Sequence, residues 1–310
     1  MVWELILIIL GLVFFETITS IDNAIINADV LSRMSERARK WFLFWGLLFA
    51  VFFVRGLLPS LMLWATNPSL SIYEIFTATL TSDARVLSSI EQTAPVLLML
   101  GGVFMLFLFL HWLFLEPKSF GIHGEKFIYS QGIWFYAIVS ILLAVITWFA
   151  GQKSFMMAFG AVIGSTLFFI THGFKQNAES QEKELIEGKK SNMSDVSKLL
   201  YLEVIDTSFS IDGVIGAFAF TLAIPLILLG NGIGAFVVRE LTIRNIDNIK
   251  KYIYLKNGAM YSIFFLGAIM VLDAFGYHIP SWLSPIITFG VVGFFFWKSK
   301  QHIKAQANLV

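Results

Sequence analysis

The chain has 310 residues, of which 57% are hydrophobic, 16% aromatic and only 14% charged, and its formal net charge is +1. A chain this apolar cannot present a polar surface to water, so we predict an integral membrane protein. The charge gives no reason to expect nucleic acid as a partner, and the lack of cysteine excludes disulfides, thiolate metal sites and iron–sulfur clusters.

Nine apolar stretches come close to the length of about 20 residues that a helix needs to cross a bilayer. They lie near residues 3–25, 41–64, 95–115, 133–150, 154–173, 200–222, 225–239, 257–275 and 282–298. The first stretch lacks a basic start, so we predict a span there and not a cleaved signal peptide. The fold class that follows is an all-α polytopic membrane protein with nine transmembrane helices.

The loops between these spans differ in their basic residues. Lys and Arg cluster after every second span, beginning with the first, whereas the loops near 66–94, 151–153, 223–225 and 276–281 hold few. Because basic loops stay in the cytoplasm, the N-terminus is predicted outside and the C-terminus inside. The longest charged segment, 176–197, mixes both signs of charge and is predicted to be a solvated helix or a linker.

A short acidic phrase occurs twice, once in the first span and once in the sixth. In each copy a carboxylate stands six residues before the Asp of a Ser-Ile-Asp triplet, so Glu16 matches Asp206 and Asp22 matches Asp212. An acidic side chain at the middle of a bilayer costs roughly 2.5–3.5 kcal/mol, which makes it a candidate functional residue. Two matching pairs of acids therefore indicate a shared site, built as one chamber or as two.

The two copies are predicted to cross the membrane in opposite directions, because they lie five spans apart. The second and seventh spans also resemble each other, in residues 49–55 and 234–239, and each match ends in an arginine. These matches predict two inverted-topology repeats. The predicted domains are a first repeat at 1–150, a connecting helix with a charged cytoplasmic loop at 151–199, and a second repeat with a short cytoplasmic tail at 200–310.

The polar residues of each phrase fall on one face of a helix that advances about 100° per residue. One face carries Glu16, Thr19, Ser20, Asn23 and Asn27, and the other carries Glu203, Asp206, Ser210 and Gly213. Asp22 and Asp212 lie about 120° away from these faces, so either they meet different neighbours or the helix breaks beside them. Carboxylate, hydroxyl and amide oxygens suit a hard divalent cation, whereas zinc and copper prefer the His and Cys ligands that are scarce here.

Two arginines inside the spans allow a second interpretation. Arg55 and Arg239 can pair with the acids merely to hold the bundle together. Four or five acids against two arginines leave an excess of negative charge, which a divalent cation or protons would neutralise. In the functional interpretation Arg55 is a gate or a fixed charge that releases the ion when the acids pair again. Arg239 can also extend to the lipid headgroups.

Motifs of known enzyme classes are absent from the sequence. It contains no His-Glu-x-x-His, no Gly-x-Ser-x-Gly and no phosphate-binding Gly-x-x-x-x-Gly-Lys loop. We therefore expect neither an enzyme nor a transporter that is driven directly by ATP.

At these residues the chain resembles the TerC family of the LysE superfamily. The resemblance rests on residues 16–23, residues 206–212, Lys256-Asn257-Gly258-Ala259-Met260 and His278-Ile279-Pro280. It implies a multi-pass protein of the bacterial inner membrane that exports manganese, and related families carry calcium or other cations in exchange for protons. It also implies an ion site made of Glu16, Asp22, Asn23, Asp206 and Asp212. Further candidates on the same helix faces are Ser20, Glu203 and Ser210.

The function predicted from the sequence is secondary transport. We predict export of a divalent cation, Mn²⁺ first and Ca²⁺ next, by alternating access between the repeats and exchange with protons. The ion is cargo, no permanently bound cofactor is expected, and the partners are the ion, protons and the lipid bilayer. Two alternatives stay open, namely a non-transporting factor for membrane-protein assembly or stress resistance, and an exporter of a small organic solute such as an amino acid.

Overall fold

Helices make up 85% of the computed structural model, and the part of the chain that it describes contains no strand. The described residues are 2–21, 24, 31, 34–81, 83–186, 194–244, 249 and 251–307. At a few helical positions, Asp206 among them, the backbone alone is described.

The helices of the described residues are given in chain order. They are α1 (Val2–Thr19), α2 (Glu36–Trp41), α3 (Leu47–Phe49), α4 (Leu58–Thr66), α5 (Ile72–Thr81), α6 (Ala84–Leu115), α7 (Glu125–Ser130), α8 (Phe135–Lys153), α9 (Phe155–Ile186), α10 (Asp195–Ala217), α11 (Ile224–Arg244), α12 (Leu255–Ala274) and α13 (Leu283–Ala307). Two π-helical stretches, Phe42–Gly46 and Ala50–Leu57, join α2, α3 and α4 into one continuous helical path. A 3-10 turn, Gly132–Trp134, leads into α8.

Each of the nine predicted spans coincides with helix in the described residues. Six helices in this part of the chain are long and apolar enough to cross a membrane. They are Val2–Thr19, Ala84–Leu115, Gly132–Lys153, Phe155–Asn177, Ile224–Leu241 and Leu255–Ala274. The all-helical fold and its apolar helices are thus confirmed and are compatible with a multi-pass membrane protein, whereas the count of nine spans and the inverted repeats stay predictions.

The segment that the sequence analysis predicts to be a loop, residues 66–94, is largely helical. It contains α5 and the first turns of α6, which begins at Ala84 and continues through Pro95. Asp83 caps α6, because its carboxylate accepts hydrogen bonds from backbone amides of the first turn. The early turns of α6 are polar, so a search for apolar runs places the start of this helix too late.

The helix α6 lies at the centre of the bundle and packs against α9 and α12. At its crossing with α12, a methyl group on Gly102 would lie 2.9 Å from the carbonyl oxygen of Gly267. The two helices run in opposite directions, since Gly101 contacts Met270 whereas Gly267 contacts Met105. Small residues at such crossings let helix backbones approach closely, which is how helices associate where lipid gives them no hydrophobic driving force.

The contact between α9 and α6 predicts a large cost for one added methyl group. Gly164→Ala is expected to destabilise the fold by about 1–3 kcal/mol, because the methyl group would overlap the Leu100 carbonyl oxygen and lie 3.0 Å from its carbon. Gly173→Ala on α9 is the matched control, since nothing lies within 4 Å of that position. Thermal unfolding in detergent compares the two variants, and equal stability would contradict the close contact of α9 with α6.

Large apolar side chains cover the outside of the helices. Trp3, Trp148 and Phe155 are among those with most of their surface exposed. Soluble proteins rarely expose apolar surface on this scale, whereas in a bilayer such side chains contact lipid and its interfaces. The outer surface therefore agrees with the composition of the chain.

The helices α1 and α11 run side by side in the same direction. Leu12 packs against Gly230, and one turn further along Glu16 packs against Gly234. Glycines at both contacts bring the two backbones close together. This packing places the acidic phrase of α1 deep in the bundle.

Candidate functional site

Glu16 of α1 is almost completely buried, with 1% of its surface exposed, and so is Arg55, with 3% exposed. The Oε1 atom of Glu16 accepts hydrogen bonds from Arg55 Nε at 3.0 Å and from Arg55 Nη2 at 2.5 Å. It also accepts one from Ser20 Oγ at 3.0 Å. The structure therefore brings three of the predicted site residues together and joins α1 to the π-helical stretch Ala50–Leu57 by a buried ion pair.

Arg55 belongs to the second π-helical stretch, Ala50–Leu57. A π-helix closes its hydrogen bonds five residues apart, is rare, and occurs frequently at functional sites. Within this stretch Arg55 turns toward the inside of the bundle, whereas Phe53 is exposed on the outside. The irregular helix is thus the element that positions the buried guanidinium.

The second carboxylate oxygen of Glu16, Oε2, is buried and has no hydrogen-bond partner among the described residues. It faces Gly213 of α10, where an added methyl group would lie 2.7 Å from it. A methyl group added to Gly234 of α11 would lie equally close to the Cβ of Glu16. Since Gly213 directly follows Asp212, the acidic phrase of α1 contacts the acidic phrase of α10 inside the bundle.

Asp212 has different neighbours from Glu16. The helix α10 runs without a break through Asp212 to Ala217, so the proposed helix break is not found at this acid. The Asp212 side chain lines a cavity of about 50 Å³, which is large enough for a water molecule or an ion. Other polar residues that line this cavity are Thr19, Glu116, Lys175 and Lys256.

Glu116 and Lys256 form an ion pair of 2.9 Å beside this cavity. The Nδ1 atom of His111 lies 3.6 Å from Glu116, and its ring packs against His172 with the ring centres 3.8 Å apart. Burial by itself raises the pKa of Glu116, but His111 and the positive charges of Lys256 and Lys175 outweigh it, so the pKa lies well below its usual range. Glu116 is therefore negatively charged at neutral pH.

The acidic side chains of the two predicted repeats make a related kind of contact. The carboxylate of Glu203 on α10 lies directly against Gly46, the last residue of the first π-helical stretch, and Ser210 of the same helix is buried. Glu16 of α1 contacts Gly234 of α11 through its Cβ and Cγ atoms. In each case an acid from the first helix of one half contacts a glycine from the second helix of the other half.

The remaining predicted site residues are placed elsewhere or are not described. The Cζ atom of Arg239 lies 4.7 Å from the centre of the Phe42 ring, so this arginine stacks on an aromatic side chain. Asp22, Asn23 and the side chain of Asp206 lie outside the described residues. Among the residues that are described, no group of three His, Cys, Asp or Glu side chains is arranged to hold a metal ion.

Some residues near the site are not identified by the sequence alone. The sequence predicts Lys175 as a charge of a cytoplasmic loop and Lys256 as a loop charge within the residues that resemble the TerC family, and it does not single out Glu116. Asn231 of α11 is completely buried, and neither polar atom of its amide has a hydrogen-bond partner within the described structure. The signal that could have identified it is an Asn between two glycines, Gly230 and Gly232, in an apolar stretch.

Comparison with known proteins gives one match. A family model described as a protein of unknown function (DUF475) matches residues 21–306 of the chain. No curated protein and no solved structure matches this chain. The resemblance to the TerC family is not tested by these comparisons and stays a prediction.

Proposed function

The chain belongs to the DUF475 family, whose description states no function, and we propose a function from its own residues. The protein is a secondary transporter that exports a divalent cation, Mn²⁺ first and Ca²⁺ next, in exchange for protons. The cation is held by acids of both halves of the chain, namely Glu16, Asp22, Asp206 and Asp212, in a polytopic protein of the bacterial inner membrane. Its N-terminus lies outside and its C-terminus in the cytoplasm.

The contact between Glu16 and Gly213 carries this proposal. It joins two matching acidic phrases, far apart in the sequence, at one buried point among apolar helices. Glu16 keeps one oxygen without a partner in the described part of the chain, and Asp212, which directly precedes Gly213, lines a small cavity. Carboxylate oxygens that are gathered away from water strongly favour a cation or protons as their partner.

Arg55 supplies the positive charge that the cation would replace. Its guanidinium pairs with Glu16 through the Oε1 atom, so the charge of this carboxylate is balanced when no cation is bound. Binding of a divalent cation then requires the guanidinium to move away, and protons that return to the carboxylates release the cation. Cation affinity should consequently fall as the pH falls, because protons compete for the same oxygens.

The packing of the helices supports two inverted repeats. The helices α1 and α10 run in opposite directions, since Phe15 contacts Gly216 whereas Glu16 contacts Gly213. The two contacts between an acid and a glycine, described above, are related as a pseudo-two-fold axis in the membrane plane would require. Rocking of one such repeat against the other exposes a central site to each side of the membrane in turn.

The cavity beside Asp212 supports a second candidate, which is export of a small zwitterionic solute such as an amino acid. Lys175 and Lys256 would pair with its carboxylate and Asp212 with its ammonium group. A cavity of about 50 Å³ admits water or an ion more readily than an amino acid. The cation is therefore the first candidate.

Uptake into proteoliposomes tests both candidates. We expect the purified protein to carry Mn²⁺ into vesicles that are acidic inside, Ca²⁺ more slowly and Mg²⁺ least, with uptake that stops when the pH gradient is collapsed. Radiolabelled glycine and lysine test the solute exporter under the same conditions. If neither ions nor amino acids move, the protein is not a transporter of this kind, and a role in membrane-protein assembly takes its place.

A further inference from the structure

Asn231 lies near the middle of α11 and is 0% exposed. Its Oδ1 and Nδ2 atoms both lack a hydrogen-bond partner in the described part of the protein. A buried amide without hydrogen bonds is unfavourable, and native proteins provide partners for nearly all such groups or keep them for a role. The Asn231 side chain therefore indicates that an ion or a small molecule binds at this depth in the bundle.

The neighbours of α11 fix the direction in which Asn231 points. Gly234 packs against Glu16 of α1, and Leu228 packs against Gly56 of the second π-helical stretch. On a helix that advances about 100° per residue, Asn231 lies about 60° from each of these two directions and between them. Its amide consequently enters the crevice between α1 and the π-helical stretch.

The ion pair of Glu16 and Arg55 crosses the same crevice. Along α11, Gly234 marks the level of Glu16, and Leu228 marks the level of Gly56, next to Arg55. Asn231 stands midway between Leu228 and Gly234 in the sequence of the helix. Along α11 it therefore lies between the levels of Glu16 and Gly56, and it forms no hydrogen bond to Glu16 or Arg55.

The Oε2 atom of Glu16 limits which ion or molecule can bind here. This oxygen is a negatively charged acceptor that no described donor faces, and the Asn231 amide does not donate to it. An ion or molecule that binds both this oxygen and Asn231 Oδ1 must carry positive charge or donate hydrogen bonds, because the carboxylate repels an anion. Hard divalent cations take carboxylate and side-chain amide oxygens together.

We infer that Asn231 supplies an amide oxygen ligand, beside Oε2 of Glu16, to the cation that this protein transports. The inference rests on the proposed function and adds to it a residue of α11. The site then draws ligands from three helices, α1, α10 and α11, that belong to both halves of the chain. Replacing Asn231 tests the binding of the cation directly, since this side chain has no other partner in the described structure.

Thermal unfolding of the purified protein with and without Mn²⁺ tests this role in the variant Asn231→Leu. Leucine matches the amide in size and removes two unpartnered polar atoms, so without metal the variant should be at least as stable as the wild type. It should lose the rise in Tm that Mn²⁺ gives the wild type, with an affinity for Mn²⁺ lowered about 10- to 100-fold. Asn231→Asp keeps an oxygen ligand and should keep the rise.

Asn67→Leu is the matched control, because Asn67 is also buried but has partners. Its Nδ2 atom donates to Leu63 O and Thr93 Oγ1, and its Oδ1 atom accepts from Ser89. This variant should have a lower Tm without metal and keep the rise with Mn²⁺. The assignment is overturned if Asn231→Leu is the less stable protein without metal, or if it keeps the wild-type response. A wild type that Mn²⁺ does not stabilise refutes the proposed function itself, and the inference with it.

Discussion

Replacing Arg55 with methionine is expected to lower the free energy of unfolding by about 3–5 kcal/mol. The substitution leaves the buried carboxylate of Glu16 without the guanidinium that donates two hydrogen bonds to its Oε1 atom. Methionine is flexible and fills much of the vacated volume, so the loss measures the uncompensated charge and not a cavity. Chemical denaturation in detergent micelles gives the value, and a loss below about 1 kcal/mol would class the pair with the weak ion pairs of protein surfaces.

The double variant Glu16→Leu, Arg55→Met separates stability from transport. Apolar residues of similar size in place of a buried ion pair are often neutral or stabilising, so this variant should regain most of the stability that Arg55→Met loses. It should still carry no Mn²⁺ into proteoliposomes, because the carboxylate of Glu16 is gone. A stable double variant with wild-type uptake would show that the pair serves packing alone.

Asp212→Asn is expected to slow Mn²⁺ uptake by about 100-fold or more, since changes even to residues that only support metal ligands cost 10- to 100-fold. Asparagine keeps the shape of the side chain but removes its charge. The cavity then retains one carboxylate, Glu116, against two lysines, Lys175 and Lys256, and its net positive charge repels a cation. The initial rate of uptake, measured at several Mn²⁺ concentrations, shows whether affinity or turnover is lost.

Glu36→Gln is the control for Asp212→Asn, since it neutralises an exposed carboxylate that is not among the proposed cation ligands. Glu36 forms an exposed ion pair of 2.7 Å with Lys40, one turn along α2. Exposed pairs of this kind contribute less than about 1 kcal/mol, so both stability and uptake should stay close to the wild-type values. Asp212→Asn protein that folds normally and transports at the wild-type rate would exclude Asp212 from the site.

Much of the fold follows from the pattern of apolar residues, but the helix ends do not. The stretch before Pro95 carries the charged residues Arg85 and Glu91, which a search for apolar runs rejects although α6 already begins at Ala84. Gly213 after an acid is typical of a broken transporter helix. Here the glycine instead makes room for Glu16 within an unbroken α10. Tertiary contacts, which no local pattern contains, decide between the two uses of glycine.

The sequence predicts a set of candidate site residues, which stays a prediction, but it does not predict how their side chains are arranged. The repeated phrase singles out Glu16 and Asp212 from the sequence alone. Glu16 contacts Arg55, whereas Asp212 lines a cavity together with Lys175 and Lys256. Both arrangements depend on how distant helices pack, and the sequence left pairing and ion binding open as alternatives. Asn231 was missed because a single amide in an apolar helix is as often hydrogen-bonded as functional, and only its surroundings distinguish the two.

Biosynthesis brings Glu16 and Arg55 to the membrane before the folded bundle exists. A charged residue at the centre of a lone helix makes insertion less favourable by about 2.5–3.5 kcal/mol. If α1 and the helix of Arg55 left the translocon one after the other, each would carry that cost, whereas a hairpin of both enters the lipid as a neutral unit. The buried ion pair is therefore expected to retain the first helix beside the translocon until the second has been synthesised.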